Sequence, residues 1–210
     1  MKKLFKLIFP YLIIEYLLIP IQIIKWYKRG FQENSPQIIK EKVFIKYGLK
    51  NSIWIETGTF MGTSTKFFCK NYPFVHSVEP SISLYNMAKK RFRNKNVNLY
   101  NDISENVLPD LLSSLKGQIN FWLDGHYSHG ITFKGKEECP IIEELKVIEK
   151  YLKNFTAITI LIDDVRCFAK RNEDTGYPHL DYLVNWSNKF EFDWFIVHDI
   201  FIMKKIIKNF

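Results

Sequence analysis

Six acidic side chains carry the main chemical signal of this chain. Each lies at or just beyond the end of a short apolar run that predicts a buried β-strand. Carboxylates attract cations and accept hydrogen bonds, so they suit a ligand that offers hydroxyls, amines or a positive charge better than one that offers only phosphate. The pattern therefore predicts a ligand site at the ends of the strands. The six residues are Glu56, Glu79, Asp102, Asp124, Asp163 and Asp164.

A glycine turn follows the first of these apolar runs. The segment 53–65 predicts a buried strand, a tight turn that contains Gly58 and Gly62, and a helix start at Ser64 and Thr65. Its spacing is neither the Gly-x-Gly-x-x-Gly of dinucleotide-binding folds nor the Gly-x-x-x-x-Gly-Lys-Ser/Thr of P-loops. Two interpretations stay open from these residues alone: a nucleotide-type cofactor site and a plain strand-to-helix loop.

The elements that must position these residues alternate between helix and strand. Strands are predicted at 53–55, 74–78, 97–100, 119–123, 157–162, 192–197 and 200–203, and helices at 35–47, 81–92, 104–115, 140–152 and 180–189. This alternation predicts an α/β fold with a mostly parallel seven-stranded sheet and helices on both faces. Only two residues separate the last two strands, too few for a crossover, so these strands must pair as a C-terminal antiparallel hairpin.

Composition and charge limit the function classes. With 210 residues, 47% of them hydrophobic, the chain can bury one sizeable core. The net charge of +8 comes from the two ends, because residues 31–203 contain equal numbers of acidic and basic side chains. A neutral body does not suggest a nucleic-acid groove, so we expect no nucleic-acid partner. The three cysteines are widely spaced and predict neither disulfides nor a cysteine metal site, which favours a cytoplasmic location.

Residues 1–30 form an N-terminal segment that precedes the body, residues 31–210. Residues 7–24 are almost wholly apolar and are flanked by lysines, but Glu15 at their midpoint would cost about 2.5–3.5 kcal/mol in a bilayer. Three alternatives stay open: a helix lying in the membrane interface, a bilayer span, and a helix docked on the body or a partner. The first two would hold the protein at the inner face of a membrane.

A polar stripe runs along this N-terminal segment. On a helical wheel, Glu15, Gln22, Lys25 and Arg29 fall on one narrow face. In an interfacial helix this face would lie toward the headgroups and the apolar face would enter the membrane.

The whole pattern resembles the class I S-adenosylmethionine-dependent methyltransferases over about residues 36–204. The run Glu-Thr-Gly-Thr-x-x-Gly-x-Ser-Thr at 56–65 is similar to the first motif of that family, although it lacks the fuller glycine set. The resemblance implies a Rossmann-like fold, S-adenosylmethionine as cofactor, Glu79 on the ribose, and Asp102 with Ile103 on the adenine. The cofactor-binding residues that it implies are Glu56, Thr57, Gly58, Thr59, Gly62, Ser64, Thr65, Glu79, Asp102, Ile103 and Asp124. Glu79 and Asp102 each precede a helix, so capping stays open as their alternative role.

A second resemblance concerns the acids after the fourth and fifth strands. Carboxylates at two adjacent strand ends can converge on one divalent cation. The segments are similar to metal-dependent sugar O-methyltransferases related to macrocin O-methyltransferase, which implies Mg²⁺ bound by Asp124, Asp163 and Asp164. The same resemblance implies catalytic roles for Asp124 and for His126, which takes the place of the base. A histidine with an unperturbed pKa of about 6.5 can accept a hydroxyl proton at neutral pH. Strand termination and helix capping are the alternative roles of these acids.

We therefore expect an enzyme that transfers a methyl group to a hydroxyl of a sugar or another glycan acceptor. The run 119–145 is similar to small methyltransferases found beside glycan-biosynthesis enzymes. The alternatives are a non-catalytic scaffold attached to a membrane or a partner through residues 1–30, and a nucleotide or nucleotide-sugar binder. The residues carry no signal for an oligomeric state. Loop cations that could bind an acidic acceptor are His129, Lys134, Lys136, Arg166 and Arg171.

Overall fold

The computed structural model describes residues 17–31, 35–125, 139–169 and 176–207. The helices are α1 (17–28), α2 (Gln37–Tyr47), α3 (Thr63–Asn71), α4 (Ile82–Arg91), α5 (Ser104–Ser114), α6 (Ile141–Tyr151), α7 (Val165–Phe168) and α8 (Leu180–Lys189). The strands are β1 (Ile53–Thr57), β2 (Val75–Val78), β3 (Val97–Tyr100), β4 (Gly117–Leu123), β5 (Phe155–Ile162), β6 (Asp193–Val197) and β7 (Ile200–Ile206). The predicted helices and strands occur in the predicted order, and the structure adds the short helix α7, which was not predicted.

The strands form one seven-stranded sheet in the order β3-β2-β1-β4-β5-β7-β6. The first five strands are parallel, and β7 pairs antiparallel with both β5 and β6. The predicted hairpin turns through His198 and Asp199, whose φ angles are 51° and 68°. Positive φ at both central residues is typical of the two-residue turns that match the twist of a hairpin. The predicted fold class, a mostly parallel α/β sheet with a C-terminal antiparallel hairpin, is therefore confirmed.

Side chains alternate between two hydrophobic layers because successive residues of a strand point to opposite faces. The layer formed with α5, α6 and α8 takes the strand residues Ile55, Phe121, Ile160 and Phe201. The layer formed with α2 and α3 takes their chain neighbours Trp54, Trp122, Leu161 and Ile202. Helices therefore cover both faces of the sheet, and its ligand-binding edge is the one at the ends of the parallel strands.

Helix α1 packs on the body through Trp26. This side chain is 3% exposed, and its ring meets the ring of His198 edge-on at 5.0 Å. The opposite side of the helix carries a set of exposed apolar side chains, which we call the outer stripe. It consists of Leu17, Ile21, Ile24 and Tyr27. Within the described ranges, no helix combines the length and the apolar character needed to cross a bilayer.

Candidate functional site

A cavity of about 450 Å³ lies where β1 and β4 end. The strand order reverses between these two strands, since the chain continues from β1 to β2 on one side and reaches β4 on the other. Open α/β sheets bind ligands at such a switch point, and the volume is in the range of small-molecule sites. The walls come from the glycine turn, the end of β4, α2 with the residues before it, and α1. They are Gln22, Lys25, Arg29, Ser35, Pro36, Gln37, Lys40, Gly58, Thr59, Phe60, Met61, Gly62, Thr63, Ser64 and Asp124.

The glycine turn fits closely against its neighbours. Gly58 has a φ of +91°, and a Cβ atom there would lie 2.4 Å from the carbonyl oxygen of Asp124. Gly62 has a φ of +72°, and a Cβ atom there would lie 2.6 Å from the Phe92 ring. Both positions therefore need glycine for backbone conformation and for space. The close approach of Gly58 and Asp124 holds the ends of β1 and β4 together at the floor of the cavity.

The Glu56 carboxylate lies behind this turn. It is 1% exposed, and its Oε2 atom accepts hydrogen bonds from Thr65 Oγ1 at 2.5 Å and Ser77 Oγ at 2.6 Å. Burial raises the pKa of Glu56 to about 8, although the two hydroxyl donors act in the opposite direction. Thr59 joins the same group, with its Oγ1 atom 2.6 Å from Ser77 Oγ. Glu56 and Thr65 thus support the turn from behind and do not form part of the cavity wall.

Glu79 and Asp102 follow the neighbouring strands β2 and β3. Glu79 is 3% exposed and accepts hydrogen bonds from the backbone N–H groups of Phe60 at 2.7 Å and Ser81 at 2.9 Å. Burial raises its pKa, although these two donors act in the opposite direction. Asp102 Oδ1 accepts from the Ile103 N–H at 2.8 Å. The first acid therefore joins the glycine turn to the residue before α4, and the second binds the backbone N–H of the residue before α5, but neither helix has a side-chain cap.

The acids after β5 are paired with cations. Asp163 forms an ion pair with Lys40, and Asp164 accepts a hydrogen bond from Arg166 at 2.7 Å. Arg166 also pairs with Asp199 of the hairpin turn. Burial alone would lower the pKa of the Lys40 amine, but the carboxylates of Asp163, Asp124 and Asp164 together raise it above its ordinary value. Lys40 therefore stays charged.

These residues do not fit a magnesium site. Within the described part of the chain, no three His, Cys, Asp or Glu side chains form a group that could hold a metal ion. Two of the three predicted ligands already have a cationic side chain as partner: Asp163 pairs with Lys40, and Asp164 pairs with Arg166. Two of the three ligands that the second resemblance implies, Asp163 and Asp164, are thus already paired with the protein's own cationic side chains.

The predicted cofactor-binding residues fall into three groups. Those on the cavity wall are Gly58, Thr59, Gly62, Ser64 and Asp124. Those buried beneath the turn are Glu56, Thr57 and Thr65. Those at the ends of the neighbouring strands, away from the cavity wall, are Glu79, Asp102 and Ile103. The predicted base and most of the loop cations lie outside the described residues, namely His126, His129, Lys134, Lys136 and Arg171.

Sequence reasoning missed Lys40 and gave the stripe on α1 the wrong direction; both lie on the cavity wall. Lys40 lies three and four residues before the buried Val43 and Phe44, so the helical period puts it on the buried side of α2. That spacing was the signal that could have identified it. The stripe of Gln22, Lys25 and Arg29 was recognised but was expected to face membrane headgroups, whereas it lines the cavity.

Comparison with known proteins supports the fold. No protein-family model and no curated protein sequence matches the chain. A Streptococcus mutans protein described as a methyltransferase, solved in complex with SAH, matches with a TM-score of 0.50 and 15% identity, over 82% of this chain and 98% of that chain. A Clostridium thermocellum protein described as an rRNA methylase matches with a TM-score of 0.52 and 10% identity, over 82% and 97%. An Escherichia coli protein described as a methyltransferase matches with a TM-score of 0.51 and 9% identity, over 85% and 91%.

These similarities establish the architecture of the chain. It has the fold of the class I S-adenosylmethionine-dependent methyltransferases, which is the fold that the sequence resemblance implies. The neighbour solved with SAH shows that a protein of this architecture binds the demethylated form of the cofactor.

Proposed function

We propose that this chain binds S-adenosylmethionine in the cavity at the ends of β1 and β4 and transfers its methyl group to a second substrate. The observation that carries the proposal is the cavity itself, which combines the glycine turn and Asp124 at the switch point of a methyltransferase fold. S-adenosylmethionine supplies an electrophilic methyl group on a positively charged sulfur. Such a ligand fits a wall that contains a carboxylate.

Different residues of the cavity wall would bind different parts of the ligand. Asp124 attracts a positively charged group and can accept a hydrogen bond from an ammonium. The hydroxyl of Ser64, at the start of α3, borders the cavity, whereas the hydroxyl of Thr59 contacts Ser77 behind the turn. Since Gly58 packs directly on the backbone of Asp124, the turn and the carboxylate keep a fixed spacing. A preformed site of this kind loses little free energy to ordering when the ligand binds.

Calorimetry with S-adenosylhomocysteine tests this proposal. We expect the wild-type chain to bind it, and Asp124→Ala to bind it about tenfold more weakly or worse, because a hydrogen bond to a charged group contributes about 1.5–3 kcal/mol. Asp110→Ala, at an exposed acid of α5, is the matched control and should bind as the wild type does. Absence of binding by the wild-type chain would overturn the proposed function.

For the acceptor we propose a hydroxyl of a sugar or glycan, with His126 as the base. This rests on the resemblance of the run 119–145 and on the suitability of an imidazole for taking a proton at neutral pH. One structural neighbour is described as an rRNA methylase, so the fold gives no reason to exclude a nucleic-acid acceptor. The neutral charge of residues 31–203 is what argues against one.

Turnover with labelled S-adenosylmethionine and a panel of glycans tests the acceptor and the base. We expect His126→Ala to abolish methyl transfer while S-adenosylhomocysteine affinity stays unchanged, because the base acts on the acceptor and not on the cofactor. Binding of the cofactor without turnover on any glycan, together with no effect of the substitution, would favour the scaffold alternative. Turnover on an RNA oligonucleotide in place of glycans would overturn the glycan assignment.

We further propose that α1 attaches the protein to an anionic membrane surface in the interfacial mode. The outer stripe is exposed and apolar, and residues 1–30 carry six basic side chains against one acid. Vesicles that contain phosphatidylglycerol should co-sediment the wild-type chain but not Ile24→Asp. Ile45→Asp on α2 is the control, since Ile24 and Ile45 are 54% and 57% exposed. Equal sedimentation of both variants would contradict this attachment.

A further inference from the structure

We propose that the inner face of α1 is part of the active site and binds an anionic group of the acceptor. This inference rests on the proposed function and goes beyond it, because it names a chemical property of the acceptor. Gln22, Lys25 and Arg29 are spaced three and four residues apart, so they lie on one face of the helix. All three line the same cavity as the glycine turn and Asp124.

The position of this face is held by packing around Trp26. The ring of Trp26 is buried between the helix and the hairpin turn, where it contacts His198. The chain then reverses at the end of α1, with hydrogen bonds from Gly30 N to Tyr27 O at 2.9 Å and from Phe31 N to Trp26 O at 3.0 Å. Ser35 Oγ donates to the His198 carbonyl at 2.5 Å and fixes the start of the following segment to the same turn. The basic side chains are therefore presented to the cavity from an anchored helix.

The charges around the cavity indicate what this face binds. The charge of Lys40 is balanced by Asp163, to which it is ion-paired. Asp124 is the one acid among the described residues of the wall, and α1 places the basic side chains of Lys25 and Arg29 on the same wall. S-adenosylmethionine brings a sulfonium and an ammonium, so its positive part belongs beside Asp124 and away from α1. A ligand group next to α1 is favoured when it is negative.

Two anions could fill this place, and they share one chemistry. The first is a phosphate or carboxylate of the acceptor, and the second is the carboxylate of the cofactor. The cofactor carboxylate has another partner available, because Thr63 and Ser64 at the start of α3 line the cavity and the first turn of α3 has no side-chain cap. We therefore assign the α1 face to the acceptor.

A pair of lysines on α1 provides the test. Lys25 lines the cavity, and Lys28 on the same helix is exposed and does not. Inorganic pyrophosphate, as the anionic probe, is titrated by calorimetry into the full chain saturated with S-adenosylhomocysteine. We expect the Lys25→Ala/Arg29→Ala variant to lose about tenfold or more in pyrophosphate affinity, because it lacks both cationic side chains of the α1 face. Lys28→Ala should stay close to the wild type.

The remaining outcomes separate this inference from the proposed function. Equal losses in Lys25→Ala/Arg29→Ala and Lys28→Ala, or no pyrophosphate binding by the saturated wild-type chain, would overturn the anion site while the cofactor site stands. Weaker S-adenosylhomocysteine binding by the double variant, with methylthioadenosine binding unchanged, would overturn the acceptor assignment, because methylthioadenosine lacks the carboxylate. Failure of the wild-type chain to bind S-adenosylhomocysteine would instead overturn the proposed function.

Discussion

The amine of Lys40 on α2 forms an ion pair with the carboxylate of Asp163 at the end of β5, across 123 positions of the chain. The two side chains are 13% and 3% exposed, and the Lys40 Nζ atom also lies 5.5 Å from the centre of the Trp122 ring. Lys40 lines the cavity near Asp124, whose charge contributes to the raised pKa of the amine, while Asp163 balances the charge of Lys40. The pair also joins the first helix of the body to the far side of the switch point.

Removing the cation of this pair should destabilise the fold. We expect Lys40→Met to lower the free energy of unfolding by about 3–5 kcal/mol, because the variant leaves a buried carboxylate without a partner. The double variant Lys40→Met/Asp163→Asn should recover most of that loss, since no charge is then buried. Urea unfolding measures both, with Lys42→Met at an exposed lysine of the same helix as control. A single-variant loss no larger than that of the control would contradict a stabilising ion pair.

Most of the fold follows from hydrophobic periodicity. The strand Val97–Tyr100 and the helix Leu180–Lys189 have the predicted bounds, because turn residues and polar breaks mark their ends. The last strand was predicted to end at Met203 but continues to Ile206, where it pairs with Ala157 of β5. The charged side chains of Lys204 and Lys205 interrupt the apolar pattern, so the sequence does not indicate that the strand continues. These two residues stay in the strand because they pair with β5.

The site was less predictable because its key contacts are long-range. Acids at strand ends indicated where a ligand binds, but no local pattern shows that Asp163 meets Lys40 or that Asp164 meets Arg166. Asp164 also adopts a φ of 57°, which a sequence pattern does not predict for a residue other than glycine. The stripe on α1 was visible from spacing, but its direction depends on how Trp26 packs, which is a tertiary property.

Replacing Gly58 should destabilise the fold, because there is no space for a Cβ atom at this position. Gly58→Ala adds a Cβ atom 2.4 Å from the Asp124 carbonyl oxygen, so the turn or the end of β4 must move. Gly117→Ala is the matched control, because Gly117 has nearly the same φ, +90° against +91°, but has no atom within 4 Å of the added carbon. We expect the control to cost about 1 kcal/mol from backbone strain alone. Gly58→Ala should cost clearly more in urea unfolding and should abolish S-adenosylhomocysteine binding, and equal costs would contradict the close packing.

Magnesium should have no effect on the stability of the protein. Lys40 and Arg166 already neutralise the acids after β5, so a divalent cation gains little by approaching them. A ligand that binds the native state raises the melting temperature with its concentration. We therefore expect the same melting temperature in EDTA and in excess Mg²⁺, measured by calorimetric scanning. A rise with Mg²⁺ that Asp163→Asn removes would restore the metal site of the second resemblance.

The buried carboxylate of Glu56 should make stability depend on pH. Its pKa is raised from 4.5 to about 8 in the folded state by burial, so between these values the native chain holds a proton that the unfolded chain has released. The stabilising contribution of the protonated group is fully present below pH 4.5 and is lost as the pH rises through 8. Because glutamine cannot ionise, the melting temperature of the wild type should fall relative to that of Glu56→Gln over this range. Glu143→Gln, at an exposed carboxylate of α6, serves as the control in the same scans. A difference between wild type and Glu56→Gln that stays constant from pH 5 to 8 would show that Glu56 is ionised behind the turn.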